Sequence, residues 1–200
     1  MDGNKLYNKI SDKFSRLFSI FIRKSFKEFG RGTLIHFPNR IENAGNIRLG
    51  RKVIIYKDCW IMAVDKWHDR YYGGQIIIKD KAVICHGVQI SAARCIEIGK
   101  NTGIGENSVV VDHLHDYTYL GHPILLAPLT DPKPVEIQND VFIGVNCIIG
   151  PGSHIGEHAF IGANSVVSGI IPSYSYATGN PARVIRRYNA QSGLWERVEE

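Results

Sequence analysis

Aliphatic residues in this 200-residue chain recur every six positions, as at Ile137, Ile143, Ile149, Ile155, Ile161 and Val167. A helix repeats near 3.6 and a strand at 2, so neither element alone explains the spacing. A fixed longer period points to stacked repeats. Three earlier triplets keep the same spacing: Leu49, Ile55, Ile61; Ile78, Ile84, Ile90; and Ile98, Ile104, Val110. Between triplets the step varies. From Ile149 to Ile155 it is 6, from Ile90 to Ile98 it is 8, from Ile61 to Ile78 it is 17, and from Val110 to Ile137 it is 27. Every insertion therefore falls at one point of an 18-residue unit.

This pattern predicts a mainly β solenoid of triangular section. Each six-residue unit is a short strand plus a corner, and three units close a coil. The aliphatic residue points inward. Four residues later a small or thin side chain should also enter the crowded core, at Val53, Cys59, Ala82, Val88, Thr102, Ser108, Cys147, Ser153, Ala159 and Ser165. Glycine follows the aliphatic residue at Gly50, Gly99, Gly105, Gly144, Gly150, Gly156 and Gly162, where a tight turn is expected.

These residues resemble the hexapeptide-repeat family, whose fold is a left-handed parallel β-helix. The match covers about residues 41–187. The left hand is implied by the resemblance, since general crossover rules favour the right hand.

Ahead of the repeats, Leu6, Ile10, Phe14, Leu17, Phe18, Phe21 and Ile22 recur at three and four, predicting an amphipathic helix over residues 4–28 with lysines and arginines on its polar side. It can cap the solenoid, pack on a neighbouring subunit, or lie on a membrane. The expected organisation is a helical segment 1–30, a β-helix domain 31–187 with a projecting loop 113–134, and a charged tail 188–200.

Bulk properties narrow the class. The net charge of +5 and pI near 9.0 suit an anionic partner, although solubility alone explains them equally well. Apolar runs fall short of the roughly 18 residues that span a bilayer, and no secretory leader is read at the N-terminus. Cys59, Cys85, Cys95 and Cys147 show no C-x-x-C spacing, which fits free thiols in a reducing cytoplasm.

Chemistry should sit where the repeat breaks. The insertion after Val110 reads VDHLHDYTYLGHPILLAPLTDPKPVE, stiffened by Pro123, Pro128, Pro132 and Pro134. The insertion at residues 63–75 is rich in Trp, Tyr and charge. Both leave one corner, two coils apart. Trp67, Tyr71, Tyr72, Tyr117 and Tyr119 could stack on sugar faces, with Asp65, His68, Asp69, Arg70 and Asp112 for hydroxyls; packing the loops down is the competing role. His113 and His115 are candidate general bases near neutral pH.

The DHLHDY run resembles the Asp-His-x-His of O-acetyltransferases that decorate bacterial surface polysaccharides. In the maltose and galactoside acetyltransferases the catalytic histidine lies five residues after the last inward aliphatic residue of its coil, which corresponds here to His115 rather than His113. The resemblance implies acetyl-CoA as acyl donor, direct transfer without a covalent enzyme intermediate, and no catalytic metal. It implies a cytoplasmic homotrimer with its site in a cleft between prisms, and no nucleic acid partner. By the family pattern, Phe142 walls the site, the backbones of Val145 and Ala163 touch the pantetheine arm with Ser168 beyond, and Arg183 and Arg186 lie near the CoA phosphates. The TGNPARVI segment is close to the family's AGNPAKVI. Phe142 replaces a frequent Trp and Gly169 a frequent Lys. Asp112, Asp116 and Glu136 are candidate carboxylates to hold the catalytic imidazole. Other readings are a nucleotide-sugar N-acetyltransferase, an antibiotic acetyltransferase, a γ-class carbonic anhydrase using histidines among His86, His113, His115 and His122, and a nonenzymatic scaffold.

Overall fold

The computed structural model of the chain describes residues 3–118, 120, 121 and 123–198; of residues 3–11 it describes the backbone alone. Three sheets form the faces of a prism, with seven, nine and six strands in order of first appearance. Strands pair in parallel with the coil above and below, about 4.8 Å apart. The register follows the six-residue beat. Leu49, Ile78, Ile98, Ile137 and Ile155 stack on the first face. Ile55, Ile84, Ile104, Ile143 and Ile161 stack on the second. Ile61, Ile90, Val110, Ile149 and Val167 stack on the third. All fifteen are at most 1% exposed. The ten small residues predicted inside are buried too. Their hydroxyls are satisfied by the neighbouring coil: Ser108 donates to the Gly144 carbonyl at 3.0 Å and accepts from the Cys147 N–H at 3.1 Å.

The solenoid is longer than the repeat count suggests. Phe29, Ile35 and Ile41 form an additional first coil beneath Leu49, Ile55 and Ile61. At the other end Ile171 and Ala177 stack on Ile155 and Ile161. The first triplet keeps the spacing of six, but an aromatic residue opens it. The last is hidden because Val167 to Ile171 is a step of only four. The second face then continues as an antiparallel hairpin, Ala182–Asn189 with Leu194–Arg197, so the charged tail is partly a strand.

The glycines after the aliphatic residues do not make the corners. Left-handed backbone falls two residues later, at positions such as Asn101 (φ 55°), Asn107 (φ 57°), Asn146 (φ 56°) and Asn164 (φ 59°). Asparagine tolerates that region better than most residues. The glycines are required by close approach of the next coil. A Cβ at Gly99 would lie 2.3 Å from the Gln138 carbonyl, and one at Gly144 would lie 2.6 Å from the Ala163 nitrogen.

The helix α1 spans Gly3–Ile22 and ends in a short turn at Arg23–Ser25. It is shorter than predicted because Glu28–Phe29 is already the first strand. The face it buries is also not the expected one. Ser15 and Ser19 are buried, with Phe18 and Ile22 packed on the core beside them. Ser19 Oγ accepts the Ile35 N–H at 2.8 Å and donates to the Ser15 carbonyl at 2.8 Å. The reason lies in the sheet: the first coil has no coil beneath it, so its backbone donors need other partners.

Cys59 and Cys147 are buried core residues, as predicted. Burial pushes the Cys59 thiol up to about 11, helped by Asp58 and Cys85. Thiolate is the reactive species, so Cys59 should resist a disulfide-exchange reagent at neutral pH in the folded protein and react promptly in denaturant. Stoichiometric labelling of Cys59 without unfolding would contradict this packing.

Candidate active site

Both large insertions leave the corner between the third and first faces, and they are clamped together. The long loop runs out and back as two paired arms: Asp116 N–H donates to the Pro128 carbonyl at 3.0 Å and Thr130 N–H to the Leu114 carbonyl at 2.8 Å. His115 lies opposite Leu129 between these arms. The shorter loop holds the longer by two bonds. Trp67 Nε1–H donates to the Ala127 carbonyl at 3.1 Å, and the Leu129 N–H donates to the Tyr72 hydroxyl at 3.0 Å. Leu129 is buried among Val64, Ala93, Met62, Trp67 and Tyr72. Trp67 and Tyr72 therefore pack the loops down. Tyr71 and Tyr117 are exposed and retain open faces. Tyr119 lies outside the described residues.

The two histidines have different surroundings. His113 Nδ1 lies 2.8 Å from Asp112 Oδ1. Asp112 is fully buried and also accepts the backbone N–H groups of Ala93, Arg94 and Cys95 at 2.7–2.8 Å. Its expected place as a substrate contact is thus corrected: the carboxylate is consumed in tying the turn after the third coil to the fourth. His115 is exposed, and the edge of its ring meets Trp67 at 5.2 Å between centroids. Among the described residues no carboxylate touches His115. Asp116 bonds the Thr118 hydroxyl and N–H, which hold its carboxyl below the usual range, and Glu136 faces His154 at 3.3 Å.

A cleft opens between the loops, lined by Arg70, Tyr71, Tyr72, Arg94 and Asp131. Arg94 and Asp131 were not singled out from sequence. Their signal was available: Arg94 follows the two-residue insertion of the third coil, at the same corner as the loops. Cys95 is next to it, but burial, then Glu97 and Asp112, push its thiol up, which disfavours a nucleophilic role.

The residues predicted to meet the acyl donor lie elsewhere. Val145 and Ala163 are exposed at successive turns of the corner between the second and third faces, joined by an Asn164 N–H to Val145 carbonyl bond of 3.0 Å. Phe142 projects outward from the second face, half-exposed, stacked on Phe160 at 5.3 Å. Arg183 and Arg186 are exposed on the added hairpin, opposite Thr178 and Tyr176. Ser168 is exposed just past the third face. In one chain, then, His115 and the Val145–Ala163 line flank the third face at opposite edges. His86 is also remote from the loop histidines, stacked near Tyr56 at 4.9 Å where the second face ends. His122 lies outside the described residues, and among those described no three His, Cys, Asp or Glu side chains gather.

The family model described as bacterial transferase hexapeptide (six repeats) matches residues 134–169. WbbJ of Escherichia coli K12, a protein named for O-acetyl transfer in lipopolysaccharide biosynthesis, is 30% identical over 172 residues, covering 82% of this chain and 84% of WbbJ. The chain belongs to the hexapeptide-repeat acyltransferase family. Galactoside O-acetyltransferase of the same organism is 34% identical over 122 residues, 51% of this chain and 59% of that enzyme. Among solved structures, AntD, an N-acyltransferase from Bacillus cereus in complex with dTDP and coenzyme A, superposes with a TM-score of 0.73 at 22% identity, covering 87% of this chain and 90% of AntD. The acetyltransferase VCA0836 from Vibrio cholerae, complexed with acetyl-CoA, gives 0.60 at 23% identity, covering 92% of this chain and 84% of its own. The prism of this hexapeptide-repeat acyltransferase is thus the left-handed parallel β-helix of its family.

Proposed function

We propose that this acyltransferase moves the acetyl group of acetyl-CoA to a sugar hydroxyl in bacterial surface-polysaccharide biosynthesis. The match to WbbJ along most of both chains carries this reading. The cleft between the loops supports it: exposed Tyr71 offers a stacking face, while Arg70, Arg94 and Asp131 offer hydrogen bonds to a polar acceptor. The base is His115, which stands at the root of the longer loop with an open ring against Trp67. It takes the proton from the acceptor hydroxyl, the oxygen attacks the thioester carbonyl, and the tetrahedral intermediate expels the CoA thiolate, which recovers the proton from the imidazolium. The 2.8 Å contact with Asp112 supports His113 as the alternative base.

The working unit is a homotrimer in the cytoplasm. A second subunit accounts for the separation of His115 from Val145 and Ala163, because an edge of one prism laid beside a face of another can unite base and donor. Phe142, Ser168, Arg183 and Arg186 complete the donor side, with the arginines on the CoA phosphates. Charge-assisted bonds to phosphate contribute about 1.5–3 kcal/mol each. Replacing Arg183 and Arg186 together by Ala should raise the KM for acetyl-CoA at least about tenfold and leave the acceptor KM nearly unchanged. Both side chains are exposed, so the fold should survive. An unaltered KM for acetyl-CoA would move the donor elsewhere.

Thioester consumption with a panel of sugars, nucleotide-linked amino sugars and aminoglycosides tests the acceptor class. Turnover with a hydroxyl of a polysaccharide repeat unit supports the proposal. Turnover confined to amines transfers the chain to the nucleotide-sugar N-acyltransferases, whose fold it shares.

A further inference from the structure

The exposed side of α1 raises a question the acyl-transfer reading leaves unanswered. With Ser15 and Ser19 turned inward, Phe14 (53% exposed), Leu17 (60%), Ile20 (58%) and Phe21 (85%) face outward. Phe37, itself half-exposed, extends the patch by edge contacts with Phe14 and Phe18 at 5.5 and 5.2 Å. The four helical positions fall within one sector of the helix, since 14, 17 and 21 share a face and 20 borders it. Leaving such residues in water is unfavourable, whereas the buried face is held largely by two serines.

Charge distinguishes between possible covers. Residues 12–31 carry six cations, Lys13, Arg16, Arg23, Lys24, Lys27 and Arg31, against two carboxylates, Asp12 and Glu28. All six cations are exposed. Beyond them the first corner adds Lys52 and Lys81, beside an Arg51 that is paired with Asp80 at 2.8 Å. A second copy of this surface would bring like charges together around the apolar patch. An anionic bilayer would accept both parts, with apolar side chains below the headgroups and cations among them. No described helix is long and apolar enough to cross a membrane, so α1 lies in the interface plane.

We propose that the outward face of α1, with the basic rim from Lys13 to Arg31, docks this enzyme on an anionic phospholipid bilayer. Docking is independent of the acyl-transfer chemistry and adds to it one consequence: acceptors carried on lipids are met at the membrane surface.

The test is co-sedimentation of the full-length protein with vesicles of pure phosphatidylcholine or of phosphatidylcholine with about a third phosphatidylglycerol, a fraction within the range over which anionic lipid attracts basic segments. Binding should be at least tenfold tighter to the anionic vesicles and should weaken as salt rises. The variant L17S/F21S should lose at least tenfold in vesicle affinity, and R16E/R23E should lose the preference for anionic lipid. Sedimentation velocity is run in parallel, with circular dichroism confirming that each variant keeps its β-helix. Equal binding to both vesicle types, no binding to either, or unchanged affinity in folded L17S/F21S overturns the proposal. So does a change of oligomeric state in L17S/F21S without a loss of vesicle binding, which would make the patch a subunit contact.

Discussion

His115→Ala should lower turnover by at least about 100-fold, the lower end of the contribution of a positioned general base. The ring is exposed at the loop root and touches Trp67, so its loss removes little buried surface and the fold should be retained. Donor binding, read by calorimetry with CoA, should be unchanged, because the proposed CoA residues lie at the other edge of the third face. His113→Ala should cost far less, about tenfold or under, since it removes a group whose Nδ1 is already engaged by Asp112. The comparison is decisive in either direction. If His113→Ala abolishes turnover and His115→Ala does not, the base is His113, oriented by a buried carboxylate in the manner of an Asp–His pair.

Asp112→Ala should produce the largest loss of stability. Three backbone N–H groups, one of them on fully buried Ala93, would lose their acceptor together. Hydrogen bonds to a charged group contribute about 1.5–3 kcal/mol each, and some of the exposed N–H groups will find water, so a net loss of about 3–5 kcal/mol is expected. For a chain of this length that is about 10 °C in apparent Tm. Asp112→Asn, which retains one carbonyl acceptor, should fall between. A change within about 2 °C for the alanine variant, on the same scale, would mean that the turn after the third coil does not depend on this carboxylate. Activity should fall in both variants, because the same aspartate anchors the chain from which His113 and His115 depart.

The six-residue beat by itself determined the prism, the register of fifteen stacked aliphatic residues and the corner from which both loops leave. A periodic core leaves that record because each coil repeats the same steric problem: one branched residue and one small residue inward, in fixed order. Where the beat is broken, the local record fails. The first coil was concealed by Phe29 and the last by the four-residue step to Ile171, although their backbones join the same sheets. The glycines after each aliphatic residue were legible, but their reason was not, since the atoms they must avoid belong to a coil at least sixteen residues away. Only the folded chain decided which histidine Asp112 would meet, because adjacent residues at a loop root can point either way until the next coil supplies three N–H groups. It likewise decided that Trp67 and Tyr72 clamp the long loop, through partners some sixty residues distant in sequence. The helix shows the limit most plainly. Its apolar periodicity predicts a buried stripe, yet the edge of the first coil presents an unpaired N–H at Ile35, and a serine hydroxyl satisfies that group where a phenylalanine cannot.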